Sequence, residues 1–194
     1  IGAKDHEVVA ADSTSINLFK VLSAALSIAK ADHPEKNIIL SERTNFPTDL
    51  YIAEALCKER GYQLKLVEAE ELQDALQKDV AVLMLTHVNY RTGAMLNMKA
   101  MTAAAHAVGA LTVWDLAHSA GAVPVDLNGA NADFSVGCGY KYLNGGPGAP
   151  AFVWVHPKHT DRFWQPLSGW WGHAAPFEFT PDYKPAAGIT RYQC

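Results

Sequence analysis

Apolar residues recur along the chain with two periods, one typical of helices and one typical of buried strands. Within residues 15–30, Ile16, Phe19 and Leu22 fall on one helical face, directly after a run of residues that favour a helix N-cap. Continuously apolar runs such as residues 80–85 are typical of strands that are covered on both faces. The pattern predicts helices over residues 15–30, 47–60, 70–78 and 97–108, and strands over residues 37–40, 63–67, 80–85, 111–114 and 151–155.

The alternation of these elements predicts the fold class. Strands that alternate with helices are typical of an α/β fold with a mostly parallel sheet flanked by helices. No repeat and no linker-like segment divides the chain, so we expect a single domain over residues 1–194. The tail from Pro157 is rich in Trp, Gly and Pro and has no clear period. We expect Trp164, Trp170 and Trp171 either to form a contact surface or to pack into the core.

Composition and charge exclude several classes of protein. A chain of 194 residues with 49% hydrophobic and 19% charged residues has the balance of a globular domain with a sizeable core. Its net charge of −4 gives no electrostatic reason to expect nucleic acid or an anionic membrane as a partner, and no apolar run reaches the length of a membrane span. Three cysteines without C-x-x-C spacing predict free thiols, no cysteine metal site and a reducing, cytoplasmic compartment.

Polar residues stand where ligands bind in α/β sheets. In an open α/β sheet, ligands lie beyond the carboxyl ends of the strands. Thr86 and Asp115 directly follow two predicted strands, and Thr14 and Ser15 precede the first predicted helix. Asp115 is either a helix N-cap or a counter-charge for a protonated ring nitrogen, since both roles suit a carboxylate at the end of an apolar strand.

Further segments carry candidate chemistry, and each also has a plain structural explanation. His118 is either a hydrogen-bonded structural histidine or part of the same site. Lys141 lies between two tyrosines and two glycine-rich stretches, so it is either a solvated loop lysine or an amine that desolvation makes nucleophilic toward an aldehyde. Residues 45–49 (NFPTD) fit either ordinary helix capping or a binding site. His156 and His159 have no third metal ligand nearby, and we expect both to be solvated loop histidines.

Taken together, six segments resemble the fold type I pyridoxal-phosphate enzymes of the aminotransferase class V type, and among them the kynureninase family. The segments are TSINLFK (14–20), NFPTDLY (45–51), LTHVNYRTG (85–93), WDLAHSAG (114–121), GYKYLNGGPG (139–148) and LSGWWGH (167–173). Members of this family are longer, so the resemblance implies that residues 1–194 are a large-domain segment truncated at both ends. An N-terminal segment and a C-terminal small domain would lie outside it.

The resemblance implies pyridoxal 5′-phosphate (PLP) as the cofactor and assigns roles to the matching residues. Lys141 would bind the cofactor covalently, and Tyr140 would transfer a proton. Asp115 would pair with the ring nitrogen. The implied cofactor-binding residues are Thr14, Ser15, Phe46, Pro47, Thr48, Asp49, Thr86, Asp115, His118, Tyr140, Lys141 and Trp170, the last reaching the phosphate from the neighbouring subunit of a homodimer.

The implied activity is hydrolysis of the Cβ–Cγ bond of L-kynurenine, or of 3-hydroxykynurenine, to the anthranilate and L-alanine in tryptophan catabolism. Two alternatives stay open. One is another fold type I enzyme, such as a cysteine desulfurase-like lyase, which would need a catalytic cysteine on a mobile loop. Cys138, three residues before Lys141, lies on the wrong element for that role. The other is a non-catalytic segment that retains the fold.

Overall fold

The computed structural model describes residues 1–194 as one seven-stranded sheet with helices on both faces. The strands are β1 (Val8–Ala10), β2 (Ile38–Glu42), β3 (Gln63–Val67), β4 (Val80–Thr86), β5 (Leu111–Asp115), β6 (Phe134–Gly137) and β7 (Phe152–Val155). The helices are α1 (Thr14–Asp32), α2 (Pro47–Arg60), α3 (Leu72–Ala75), α4 (Met98–Ala107) and α5 (Pro157–Thr160). None of these helices combines the length and the hydrophobicity that crossing a membrane requires.

The sheet is mostly parallel, as the alternating pattern predicts. Its strand order is β1-β7-β6-β5-β4-β2-β3. Neighbouring strands from β6 through β3 run parallel, whereas β7 is antiparallel to both β6 and β1. Helices α1 and α2 pack with one apolar cluster and α3 and α4 with another, so both faces of the sheet are covered. This double coverage explains why β4 is buried at every position.

The hydrophobic pattern locates the long elements and misses the short ones. It does not predict β1, which has three residues, or β6 and α5, whose four residues include polar ones, whereas the four apolar residues of β7 are predicted. The helix predicted over 70–78 is shorter than expected: a 3₁₀ turn over Ala69–Glu71 precedes the four residues of α3. The tail after α5 contains three further 3₁₀ turns, at Trp170–Gly172, Pro176–Glu178 and Gly188–Tyr192.

The strand register brings the carboxyl ends of the central strands to one edge of the sheet. Thr86 at the end of β4 pairs with Asp115 at the end of β5, and Asp115 in turn pairs with Val136 of β6. The loop after β6 carries Tyr140 and Lys141 back over this edge. The fold therefore gathers residues that are far apart in sequence at the place where α/β sheets bind ligands.

At the opposite edge of the sheet, where the amino ends of the strands lie, a buried carboxylate joins several elements of the fold. Asp133, which directly precedes β6, is fully buried and accepts a hydrogen bond of 2.9 Å from the backbone N–H of Thr112. Its two oxygens also lie 2.7 Å from His106 Nε2, 2.9 Å from His159 Nε2 and 2.8 Å from Lys158 Nζ. One side chain thus ties together β5, β6, α4 and α5.

These contacts correct the expectation for the two histidines of the HPKH stretch. His159 is buried, bonds to Asp133 and stacks on the ring of Phe134 at 5.2 Å, so the prediction of a solvated loop histidine is wrong for it. His156 is half-buried and accepts a hydrogen bond from Lys158 N as the N-cap of α5. This contact cannot be predicted from local sequence pattern, because Asp133 lies 26 residues before its partner His159.

We expect Asp133→Asn to lower the free energy of unfolding by about 3 kcal/mol, since removing one partner of a buried ion pair leaves the others uncompensated. The matched control is Asp32→Asn, which breaks the exposed Asp32–Arg162 pair and should cost about 1 kcal/mol or less. Urea unfolding at neutral pH measures both values. Equal losses in the two variants would contradict the role given to Asp133.

The same cluster makes the stability of the fold depend on pH. Burial disfavours the charged form of Asp133, but hydrogen bonds from His106, His159 and Lys158 outweigh it and hold the pKa well below the ordinary value of 3.8. A lowered pKa stabilises the fold above the ordinary value, and this stabilisation is lost as the pH falls through the lowered pKa. In acid titrations below pH 4, Asp133→Asn should therefore lose less stability than the unsubstituted protein.

Candidate functional site

A cleft of about 150 Å³ at the carboxyl edge of the sheet brings together four separate segments of the chain. They are the start of α1, the start of α2, the turn after β5 and the loop after β6. The residues that line the cleft are Ser13, Thr14, Ser15, Phe46, Asp49, Asp115, Ala117, His118, Tyr140 and Lys141. Eight of these are sequence-predicted site residues, and the structure therefore places the amine of Lys141 and the carboxyl of Asp115 in the same cavity.

The N-terminus of α1 opens into the cleft. Ser13 is the N-cap, and its Oγ accepts a hydrogen bond of 3.3 Å from Ile16 N. Thr14 and Ser15 form the first turn, where backbone N–H groups have no partner within the helix. A helix of 19 residues also places partial positive charge at this end. The arrangement favours an anion, such as a phosphate group, beside Thr14 and Ser15.

Asp115 combines the two roles that the sequence leaves open. It ends β5, is buried, and accepts a hydrogen bond of 2.8 Å at Oδ1 from the backbone N–H of Ala117. The carboxylate thus caps the turn that follows the strand, although no regular helix begins there. Because Asp115 also lines the cleft, it remains available as a counter-charge.

Asp49 places a second buried carboxyl beside Asp115. It lies in the first turn of α2, where the N-cap Phe46 makes no side-chain cap bond. Asp49 Oδ2 is buried and has no hydrogen-bond partner. Burial and the neighbouring Asp115 raise the pKa of Asp49 to about 8, although Lys141 opposes this shift. Burial raises the pKa of Asp115 to about 6, although the hydrogen bond from the Ala117 N–H and the charge of Lys141 both lower it.

Lys141 lies between two aromatic rings at the mouth of the cleft. Its Nζ is 5.9 Å from the centre of the Phe46 ring and 5.6 Å from that of Tyr140. The side chain of Lys141 is half-buried, while Tyr140 is about half exposed (52%). The alternative interpretation of Lys141 as a solvated loop lysine does not fit this position. The amine lies between two aromatic rings and shares the cleft with two carboxyls.

His118 lines the cleft on the side of Lys141. Burial, together with the charge of Lys141, lowers the pKa of His118, so the neutral imidazole is favoured. Its ring lies 6.2 Å from that of Tyr90, which in turn contacts the edge of Phe46 at 5.3 Å. Tyr90 is a site neighbour to which the sequence assigns no role. The available signal was its place in the LTHVNYRTG segment.

Three predicted residues lie near the cleft without lining it. Thr86 is buried at the sheet edge, and its Oγ1 is 3.4 Å from the Val88 carbonyl oxygen. Pro47 and Thr48 are half-buried in the first turn of α2, between Phe46 and the buried Asp49. Their predicted contacts with a cofactor remain predictions.

Trp170 lies outside the cleft, in an exposed aromatic cluster. Its ring is 4.4 Å from Trp171 and 5.8 Å from both Phe177 and Phe179. Trp164, Trp170 and Trp171 are 51%, 45% and 47% exposed, so the core-packing interpretation is wrong for this chain. The contact-surface interpretation remains.

The chain is similar in sequence to known proteins. The family model of aminotransferase class-V matches residues 1–169. The chain is 60% identical to a kynureninase from Pseudomonas fluorescens and 57% identical to one from Burkholderia mallei, over 100% of its own length in both cases. It spans about half the length of these relatives (47%).

Solved structures share the fold. The apo structure of a cysteine desulfurase from Thermococcus onnurineus matches 99% of this chain and 48% of its own, with a TM-score of 0.83 and 24% identity. A mutant of C-DES with glycine covalently linked to its PLP cofactor matches 98% of this chain and 51% of its own, with a TM-score of 0.80 and 17% identity. The expected fold type I architecture is confirmed by these neighbours, whose low identity carries no further conclusion.

The two cleft carboxyls predict a stability that falls with rising pH. Folded Asp49 keeps its proton up to about pH 8, whereas the unfolded chain releases it near the ordinary value of 3.8. A raised carboxyl pKa therefore costs stability progressively between these two pH values. At pH 8 we expect Asp49→Asn to stabilise the ligand-free protein by about 1–3 kcal/mol, with little effect at pH 4.

Thermal unfolding from pH 4 to 8 measures this effect. The exposed Asp74 supplies the control, because Asp74→Asn removes the same charge at a site away from the cleft. A parallel pH profile for Asp49→Asn and the unsubstituted protein would show that Asp49 is not the group that titrates.

Proposed function

The chain belongs to the aminotransferase class-V family, and from this premise we propose that the protein is a PLP-dependent hydrolase that cleaves the Cβ–Cγ bond of L-kynurenine. Its products would be anthranilate and L-alanine. The observation that carries the proposal is the single cleft that holds Lys141, two buried carboxyls and the N-terminus of α1. The high identity to kynureninases along the whole chain favours this substrate over those of other family members.

The residues of the cleft fit the proposed cofactor in three chemical respects. The buried, unpartnered Asp49 Oδ2 and the adjacent Asp115 offer acceptors for a protonated ring nitrogen. The N-terminus of α1 offers N–H donors for a phosphate. Lys141 carries the only primary amine among the lining residues. A cationic N–H beside the carboxyls would also favour their charged forms, which burial disfavours.

Each group of residues then has a defined task. When bound, PLP supplies an aldehyde that captures amines and a ring that withdraws electrons from the substrate. Lys141 Nζ would hold the cofactor and would move the proton of the substrate's α-carbon. Asp115, supported by Asp49, would keep the ring nitrogen protonated, and Phe46 would contact the cofactor ring. Thr14 and Ser15 would hold the phosphate.

Tyr140 and His118 complete the proposed machinery. Tyr140 would donate or accept a proton through its phenol Oη, since Lys141 Nζ lies 5.6 Å from the centre of its ring and the side chain is open to solvent. The neutral imidazole of His118 offers one donor and one acceptor to the cofactor. Thr86, Pro47 and Thr48 lie near the cleft and would contribute to cofactor binding.

We infer a homodimer in which the exposed aromatic cluster around Trp170 meets the neighbouring subunit, where Trp170 would reach the cofactor phosphate. An exposed set of four large aromatic side chains supports an interface on this face. Three free cysteines support a reducing, cytoplasmic compartment. The proposed reaction would place the enzyme in tryptophan catabolism.

The lyase alternative lacks a suitable thiol on the loop that carries Lys141. Cys138 is buried, and its Sγ lies 3.7 Å from the Ala117 carbonyl oxygen. A desulfurase-type nucleophile needs an accessible thiol, which this position does not provide. Sulfur release from L-cysteine at a rate above that of kynurenine cleavage would nevertheless favour the lyase.

We expect Lys141→Gln to lower anthranilate production by at least about a thousandfold, as removal of a covalent catalyst does. The control is Lys99→Gln, an exposed lysine on α4. Anthranilate fluorescence from full-length protein with PLP and L-kynurenine gives the rate, and borohydride reduction with peptide mapping locates the cofactor. A cofactor-loaded protein that releases no anthranilate would refute the substrate, and a label on another peptide would refute the lysine.

Tyr140→Phe should lower kcat by about a hundredfold or more and leave cofactor binding intact, because it removes only a proton donor. Tyr142→Phe is the matched control, since Tyr142 is similarly exposed and flanks Lys141 on the other side. Steady-state kinetics with the two variants separate the roles. Equal kcat values would assign proton transfer to another group.

A further inference from the structure

We propose that the buried Lys20 is a positioning residue that fixes the anion-binding turn at the start of α1 by holding Asp12. The ammonium of Lys20 is fully buried. Its Nζ donates to Asp12 Oδ2 at 2.5 Å and to the Tyr192 carbonyl oxygen at 2.7 Å. Burying a lysine is costly, so these contacts are needed to compensate its charge.

Lys20 reaches the turn because helical side chains point toward the N-terminus of their helix. It lies about one and a half turns into α1, which begins at Thr14. From there its Nζ arrives at Asp12, two residues before that helix. The amine thus acts from beneath the turn and not from the cleft, which it does not line.

Asp12 needs to be held because its backbone has an unfavourable conformation. Its φ of 45° lies in the left-handed region, which a residue other than glycine adopts at a cost. The turn is pinned on its other side by backbone bonds of 2.9 Å in which Ala151 N donates to the Asp12 carbonyl oxygen and Ala11 N donates to that of Ala151. Asn17 Nδ2 adds a bond of 2.7 Å to the Ala11 carbonyl oxygen.

The consequence for the site is geometric. Ser13, Thr14 and Ser15 follow Asp12 directly and line the cleft. A phosphate bound by backbone N–H groups depends on the direction of those groups, which the Asp12 conformation sets. Without the ammonium, the Asp12 carboxylate would turn toward water and the turn would relax. Lys20 would thereby raise the affinity for a phosphate-bearing ligand without touching it.

Lys36 supplies a matched control within the same chain. It is also buried, and its Nζ donates to the carbonyl oxygens of Lys78, Val80 and Val108. These carbonyls lie at or beside the starts of β4 and β5, at the edge of the sheet opposite to the cleft. Lys36→Met therefore removes a buried ammonium and its hydrogen bonds without disturbing the turn before α1.

The test rests on the proposed cofactor and compares PLP with pyridoxal, which lacks the phosphate. We expect Lys20→Met to weaken PLP binding by about tenfold or more, the loss expected from one misaligned charge-assisted hydrogen bond. Pyridoxal binding should change little, and Lys36→Met should alter neither affinity although it also lowers the melting temperature. Equal weakening of PLP and pyridoxal by Lys20→Met would overturn the proposal.

Hydrogen–deuterium exchange of the cofactor-free, full-length protein gives a second measurement that needs no ligand. Exchange in residues 11–17 should be faster in Lys20→Met than in Lys36→Met or the unsubstituted protein. Unchanged exchange there would overturn the positioning role. Failure of the unsubstituted protein to bind PLP at all would instead refute the proposed cofactor, and the exchange result would still decide the role of Lys20.

Discussion

The cleft depends on the proximity of two buried carboxyls and one amine. Burial raises the pKa values of both Asp49 and Asp115, the charge of Asp115 raises that of Asp49 further, and Lys141 opposes both shifts only in part. Such an arrangement costs stability in the free protein and favours any ligand that brings a cationic N–H to the carboxyls. The free protein therefore carries an electrostatic cost at this site, and a ring with a cationic N–H would remove that cost when it binds.

The two edges of the sheet differ in how their buried charges are compensated. The amino edge is where the strands begin, and the carboxyl edge is where they end and where the cleft lies. At the amino edge, Asp133 has partners for both oxygens and Lys36 has three carbonyl acceptors, so each buried charge is compensated. At the carboxyl edge, Asp49 keeps an unpartnered buried oxygen. Both carboxyls at this edge, Asp49 and Asp115, have raised pKa values, and the edge lies where strand topology directs ligands.

The sequence predicts those parts of the structure that depend on local pattern. Helix α2 agrees with its prediction at both ends, because Pro47 at its first position and Gly61 just beyond its end mark the boundaries locally. Asp115 could be placed in the site because the strand-end rule links a position in sequence to a position in space. Strand β6 could not be predicted, because its four residues (FSVG) include a polar one and do not form an apolar run like that of β7.

What the sequence does not reveal is contact between distant residues whose types are individually ordinary. The pairing of His159 with Asp133, the approach of Tyr90 to His118 and the bond from Lys20 to Tyr192 each join separate segments. None of these residues departs from its local pattern, so periodicity cannot single it out. Lys20 illustrates this best: it is one polar position among the apolar residues of α1, yet folding buries its charge completely. A buried charge must be compensated, and the partners it finds, Asp12 and the Tyr192 carbonyl, are the ones that constrain the turn where the cleft begins.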